Sequence, residues 1–210
     1  MAIAESEQKK FMDFNKLKTI LFLVVFLITL GLTAHPHVFI GVVSKFVFSE
    51  NELIKLHMHW VFDDMTSYIM LEDFDSNGDE KFNDKEVKNA LSIFNEMQGE
   101  FNYYTQLTIN DSSVVISEIK NFKISFEGIS IAYDFDIMLN IPIDSSAFDM
   151  KLNIFDEENY VKVMLPDKKA FSFSVPDNIE IETKRYFNME KSYYYGQLNP
   201  EEFSVTFRKK

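Results

Sequence analysis

The alternation over residues 53–63 constrains this chain more than any other feature. Ile54, Leu56, Met58, Trp60 and Phe62 fall on one side of an extended backbone, and Lys55, His57, His59, Val61 and Asp63 fall on the other. A helix would scatter these residues around its circumference, so the period of two dictates a strand with one apolar face. The preceding residues 38–48 are rich in Val, Phe and Ile, and the polar residues 49–52 separate the two runs. The pattern predicts a β-hairpin. Centring its turn near Glu50 pairs Phe48 with Glu52, sets His37 opposite Asp63, and sets Gly41 opposite His59.

All four histidines of the chain, His35, His37, His57 and His59, belong to this hairpin or immediately precede it. Directly paired residues have Cβ atoms about 4.5–5.5 Å apart, so the register lets His37 and Asp63 share an ion. His59 lies four residues further along, roughly 13 Å away at about 3.3 Å per residue. The cluster therefore divides. His35, His37 and Asp63 are the first-choice metal site, and His57 with His59 forms an auxiliary or separate one.

What precedes the hairpin determines the chemistry at His35. Residues 19–32 are apolar or small, follow Lys9, Lys10, Lys16 and Lys18, and lead to Ala34. This is the pattern of a secretory signal, and the run is shorter than the roughly 20 residues of a spanning helix. Cleavage after Ala34 is expected to remove residues 1–34 and leave 35–210 as a single exported domain. A terminal His35 offers its α-amine and its imidazole to one ion. Pro36 lacks the N–H that a copper site built on deprotonated backbone amides requires, so binding falls to side-chain and terminal nitrogens.

Composition narrows the partners. The net charge is −12 with no cysteine, and loss of residues 1–34 makes it one unit more negative. Such a chain suits cations and disfavours nucleic acid and anionic lipid. Any transition-metal site must use N and O donors.

After the hairpin, residues 64–74 read as a short helix, and a second helix extends to about Met97. Between them, Asp75, Asn77, Asp79, Lys81, Asn83 and Glu86 occupy positions one, three, five, seven, nine and twelve of an EF-hand calcium loop, with Lys81 contributing its carbonyl. Glu80 stands where that loop has glycine. A frame starting at Asp73 puts Gly78 at the turn but fits worse elsewhere. The bland alternative makes Asn83 and Glu86 a helix capping box. From Tyr103 onward, runs at 104–109, 114–126, 129–141, 150–155, 160–165, 170–175 and 203–207 are rich in aromatic and β-branched residues. The expected fold is mainly β: an antiparallel β-sandwich-like domain with a helix–EF-hand-like loop–helix insert at 64–98.

No Gly-rich phosphate loop, zincin motif or nucleophile elbow is present, and the reading is not enzymatic. A copper oxygenase with a histidine brace would need His57 or His59 to close on His35, which the register opposes.

Four motifs in order, His35-Pro36-His37-Val38-Phe39, Trp60-Val61-Phe62-Asp63, Leu71-Glu72-Asp73-Phe74-Asp75-Ser76-Asn77-Gly78-Asp79 and Asn102-Tyr103-Tyr104-Thr105, resemble the domain-of-unknown-function family numbered one thousand and seven. The resemblance covers most of the chain after the signal. It implies a periplasmic component of an uncharacterised ABC-type transport system, of a kind found beside nickel/cobalt-type exporters. The chain departs from the family pattern at Glu80 and at His57 and His59. Three functions follow as expectations: a metal-binding accessory protein for a membrane transporter of nickel, cobalt, zinc or copper; a calcium-stabilised β module that recognises another protein; and the brace oxygenase.

Overall fold

The computed structural model describes residue 18, residues 36–99 and residues 101–210. The signal-like segment and His35 lie outside the described residues. No helix among the described residues is long and apolar enough to cross a membrane.

Strands β1 (Val38–Phe48) and β2 (Glu52–Phe62) form the expected hairpin. Its register differs from the expected one. Val47 pairs with Lys55 and Phe48 with Leu53, and this irregularity beside the turn sets His59 opposite Val43 and Phe62 opposite Ile40. A bulge inserts an unpaired residue and shifts everything beyond it. Pairing Phe48 with Glu52 missed that shift.

Helix α1 (Asp64–Phe74) follows without a spacer because Asp63 caps it, accepting from the Thr66 backbone N–H, and Asp64 adds negative charge to the first turn. Helix α2 (Asp84–Gln98) opens on a full capping box, with Asn83 accepting from Glu86 N–H and Glu86 accepting from Asn83 N–H. A short turn at Asn102–Tyr104 then leads into β3 (Thr105–Ile109), β4 (Ser112–Val114), β5 (Ile119–Glu127), β6 (Ser130–Pro142), β7 (Phe148–Ile154), β8 (Val161–Met164), β9 (Phe171–Ser174), β10 (Ile179–Phe187) and β11 (Glu201–Lys209).

Two sheets result. One runs β5-β6-β2-β1-β8, with β9 also on β1, and the other runs β10-β11-β7-β3-β4. The second is antiparallel throughout, whereas β8 and β9 lie parallel to β1, so the first is mixed. The fold is mainly β, as the strand spacing implies. The run 114–126 is not one strand. It breaks after Val114, where the chain leaves one sheet, and resumes at Ile119 in the other. Strand β10 lies outside the runs read from the sequence, because Glu180, Glu182 and Lys184 mask its short alternation.

The core fills the space between the sheets. Phe46 stacks on Phe203, Phe171 stacks on Phe203 at 3.9 Å between centroids, and Phe48 meets Phe207 edge-on. At the other end, Trp60 packs against Tyr104, Phe94 and Phe135. That contact joins the helical insert to the first sheet.

Candidate functional site

Asp63 holds the corner between β2 and α1. Its carboxylate accepts from Thr66 N–H at 3.0 Å, Thr66 Oγ1 at 2.7 Å and Phe39 N–H at 2.9 Å. Burial pushes its pKa up, but these donors outweigh burial and hold it below the ordinary carboxylate value. Asp63 N–H also donates to the Phe39 carbonyl, so Phe39, not His37, is its neighbour across the hairpin. His37 instead donates its backbone N–H to the Tyr160 carbonyl at 2.9 Å and stacks its ring near that of Tyr160. The predicted pairing of His37 with Asp63 is therefore off by two residues, or roughly 6.6 Å along the strand. One residue of the shift comes from the turn, which pairs Phe48 with Leu53 rather than Glu52, and the other from the bulge between Val47 and Phe48.

The auxiliary histidines have the richer surroundings. β2 pairs with β6 so that His57 faces Asp136 and His59 faces Asp134. His57 Nδ1 lies 2.8 Å from Asp136 Oδ1, and its Nε2 lies 3.3 Å from Asp134 Oδ1. The same Asp134 oxygen is 3.0 Å from His59 Nδ1, while His59 Nε2 reaches Glu127 Oε1 at 3.2 Å. Lys55 Nζ and Asn121 Nδ2 each donate to the other Asp136 oxygen at 2.6 Å. Only 3% of the Asp136 side chain is exposed. Burial raises its pKa, yet Lys55, Asn121 and His57 pull it below the ordinary value. The result is a ladder of two imidazoles and three carboxylates on the face of the sheet away from Trp60.

The sequence carries a signal for Asp134 and Asp136. They alternate with the buried Tyr133, Phe135 and Ile137, and so occupy the positions that match the polar face of β2.

In the acidic loop, Asp75 accepts from the backbone N–H groups of Gly78, Asp79 and Glu80, the last at 2.7 Å. Glu80 has φ 57°, the left-handed conformation for which the first loop frame requires glycine. Glu86 is buried, and its two oxygens accept from Ser76 N–H, Ser76 Oγ and Asn83 N–H. Asn77 and Asp79 accept from backbone N–H groups within the loop, and the Asn83 side chain caps α2. Gly78, the turn position of the frame starting at Asp73, is left-handed as well, with φ 69°, so the backbone does not choose between the two loop frames, and Asn83 with Glu86 forms the capping box. Among the described residues, no group of three or more His, Asp and Glu side chains is placed to hold a metal ion.

These features define a mainly β, two-sheet protein whose helical insert carries an acidic loop. The sequence profile of the family described as "Protein of unknown function (DUF1007)" matches residues 20–185, and the chain belongs to that family. It is similar to an "Uncharacterized protein" of Haemophilus influenzae (strain ATCC 51907 / DSM 11121 / KW20 / Rd). The two are 26% identical over 159 residues, which span 75% of this chain and 76% of the relative. The matched region contains all four motifs that carried the resemblance.

Proposed function

We propose that the protein is an exported, periplasmic accessory that binds a divalent transition-metal ion, nickel, cobalt, zinc or copper, and exchanges it with a membrane transporter. One observation carries this reading: Asp134 Oδ1 lies between two imidazole nitrogens, His57 Nε2 at 3.3 Å and His59 Nδ1 at 3.0 Å. Ligand atoms around a tetrahedral ion bound at about 2.0–2.1 Å stand roughly 3.3 Å from one another, so a small ring rotation would let an ion replace the shared hydrogen bonds. The absence of cysteine and the net charge of −12 suit a site of imidazole and carboxylate donors. The transporter and the compartment come from the family resemblance. His35 and His37 stand as a second donor set, which needs cleavage after Ala34.

Calorimetric titration of the protein with each ion tests the reading, with His57→Ala/His59→Ala and His37→Ala alongside. The ladder variant is expected to lose about one equivalent of bound ion. Full stoichiometry and unchanged affinity in that variant would sink the ladder as the site. Intact mass of the exported protein shows whether it begins at His35.

A second reading rests on the loop spacing and on the turn that Asp75 organises by accepting from Gly78, Asp79 and Glu80 N–H: calcium bound by Asp75, Asn77, Asp79, Asn83, Glu86 and the Lys81 carbonyl fixes the insert so that the domain can recognise another protein.

A further inference from the structure

The opposite face of β2 borders a cleft of about 670 Å³ between the first sheet, the two helices and the connection from β7 to β8. That volume falls within the roughly 300–1,000 Å³ of small-molecule sites. Its deep wall is apolar and aromatic, built from Ile40, Trp60, Phe94, Tyr104 and Tyr133, all buried. Two further rings, Phe101 and Tyr160, line it while remaining 50% exposed, which places them at the mouth. The charged residues that line it are Asp73, Asp156 and Glu158, and no Lys, Arg or His is among the described lining residues.

Both flanks of the mouth are held in defined positions. On one side, Asn102, Tyr103 and Tyr104 are consecutive left-handed residues with φ 53°, 50° and 53°. Each costs roughly 1–2 kcal/mol in a non-glycine residue. The Asn102 side chain pins this turn, donating to the Thr105 carbonyl and accepting from Ile116 N–H, and Tyr103 Oη donates to Asn95 Oδ1. The turn presents Tyr104 with Phe101 stacked on it. On the other side, Asp156 accepts from Glu158 N–H and Val161 N–H and folds the segment that carries Glu158 and Tyr160. Phe155 N–H donates to the Tyr104 carbonyl and ties the two flanks together. Strained backbone that surrounding contacts maintain is found clustered at active sites and ligand clamps.

An aromatic wall with a wholly acidic set of charges selects its occupant. Ring faces attract cations through their quadrupoles, and such cages are the usual solution for alkylated ammonium ions. The carboxylates repel anions, and the apolar depth offers a hydrated metal ion too few oxygen ligands. We propose that this cleft binds a soluble organic ammonium ion, with its apolar body against Trp60 and Tyr133 and its charged nitrogen at the mouth near Asp73 and Glu158. The site lies on the other side of β2 from the histidine ladder and uses none of its residues.

Trp60 is the sole tryptophan of the chain, so its emission reports occupancy without a label. The purified protein, kept in chelator to silence metal binding, is titrated with benzyltrimethylammonium and with choline. The neutral isostere 3,3-dimethylbutan-1-ol serves as the control, and calorimetry runs in parallel. The expected result is saturable binding of the ions, about tenfold weaker binding of the alcohol than of choline, and a several-fold loss of ion affinity in Asp73→Asn/Glu158→Gln. Both replaced side chains are exposed, so the variant is expected to fold, and its melting curve checks this. Phosphatidylcholine vesicles added as competitor are expected to leave the bound ion in place; displacement by them would overturn the assignment to a soluble ligand. The whole proposal falls if neither ion saturates by about 10 mM, if the alcohol binds as tightly as choline, or if the folded double variant binds both ions unchanged.

Discussion

The two faces of β2 differ in what they leave unsatisfied. On the outer face every histidine nitrogen has a carboxylate oxygen within 3.3 Å. On the inner face the Trp60 indole N–H is buried with no acceptor among the described residues. Leaving a buried donor unpaired costs about 1–3 kcal/mol, and native proteins seldom do so without cause. One alternating strand thus supplies a saturated polar ladder and an unsaturated aromatic wall. The difference teaches where binding is easy. An ion entering the ladder must displace existing hydrogen bonds, whereas an acceptor entering the cleft could satisfy the Trp60 N–H.

Substitution at Trp60 should break this contrast most severely. Trp60→Ala removes the ring that joins Tyr104, Phe94 and Phe135, and is expected to cost about 3–5 kcal/mol, measured by urea unfolding. His59→Ala, one position away on the outer face, should cost no more than about 1 kcal/mol, as expected of partly exposed side-chain hydrogen bonds. Equal losses would mean that the two faces do not divide the work between core and surface.

Asp136 is the exception on the outer face, since it is buried and its neighbours depend on it. Asp136→Ala strands Lys55, Asn121 and His57 and should cost roughly 2 kcal/mol. Its folded pKa is depressed, so the sign of the pH effect follows. Its contribution is complete above the unfolded carboxylate value of about 3.9 and is lost as pH falls through the lower folded value. Stability of the native protein should therefore drop more steeply than that of Asp136→Ala below about pH 4, in melting curves taken from pH 6 to pH 2. Parallel curves for the two proteins would refute the depressed carboxylate.

Much of this was legible in the chain. The alternation gave the strand and its faces, residues 64–74 read as a short helix, and the Asn83–Glu86 pair marked the next. The hairpin register was not legible, because the turn and the bulge each shift it by one residue and no side chain near Phe48 announces either. The first-choice site at His37 and Asp63 depended on that register. The ladder was half legible: the outward histidines could be read locally, but their partners Asp134 and Asp136 arrive from a strand some 75 to 79 residues away. The cleft was invisible, since its aromatic residues look like core until the left-handed turn at Tyr104 and the segment before β8 place them around a hollow.

The smallest predicted effect belongs to the loop, which stands between the two faces in character: its carboxylates are partly occupied by backbone donors, and its turn is strained. Glu80→Gly relieves a left-handed non-glycine residue and keeps the N–H that Asp75 accepts. The gain is at most about 1 kcal/mol, because glycine also loosens the unfolded chain. If the strain is borne by the calcium-bound form as well, the substitution raises stability with or without the ion by the same amount, and calcium affinity does not change. If the unbound loop can relax out of the left-handed region and the bound loop cannot, the whole gain falls on the bound form and affinity rises up to about fivefold. Melting temperatures of both proteins, with chelator and with millimolar calcium, separate these cases. A calcium-induced shift that survives Asp75→Ala would remove the loop from consideration, because Asp75 both organises the turn and supplies the first ligand position.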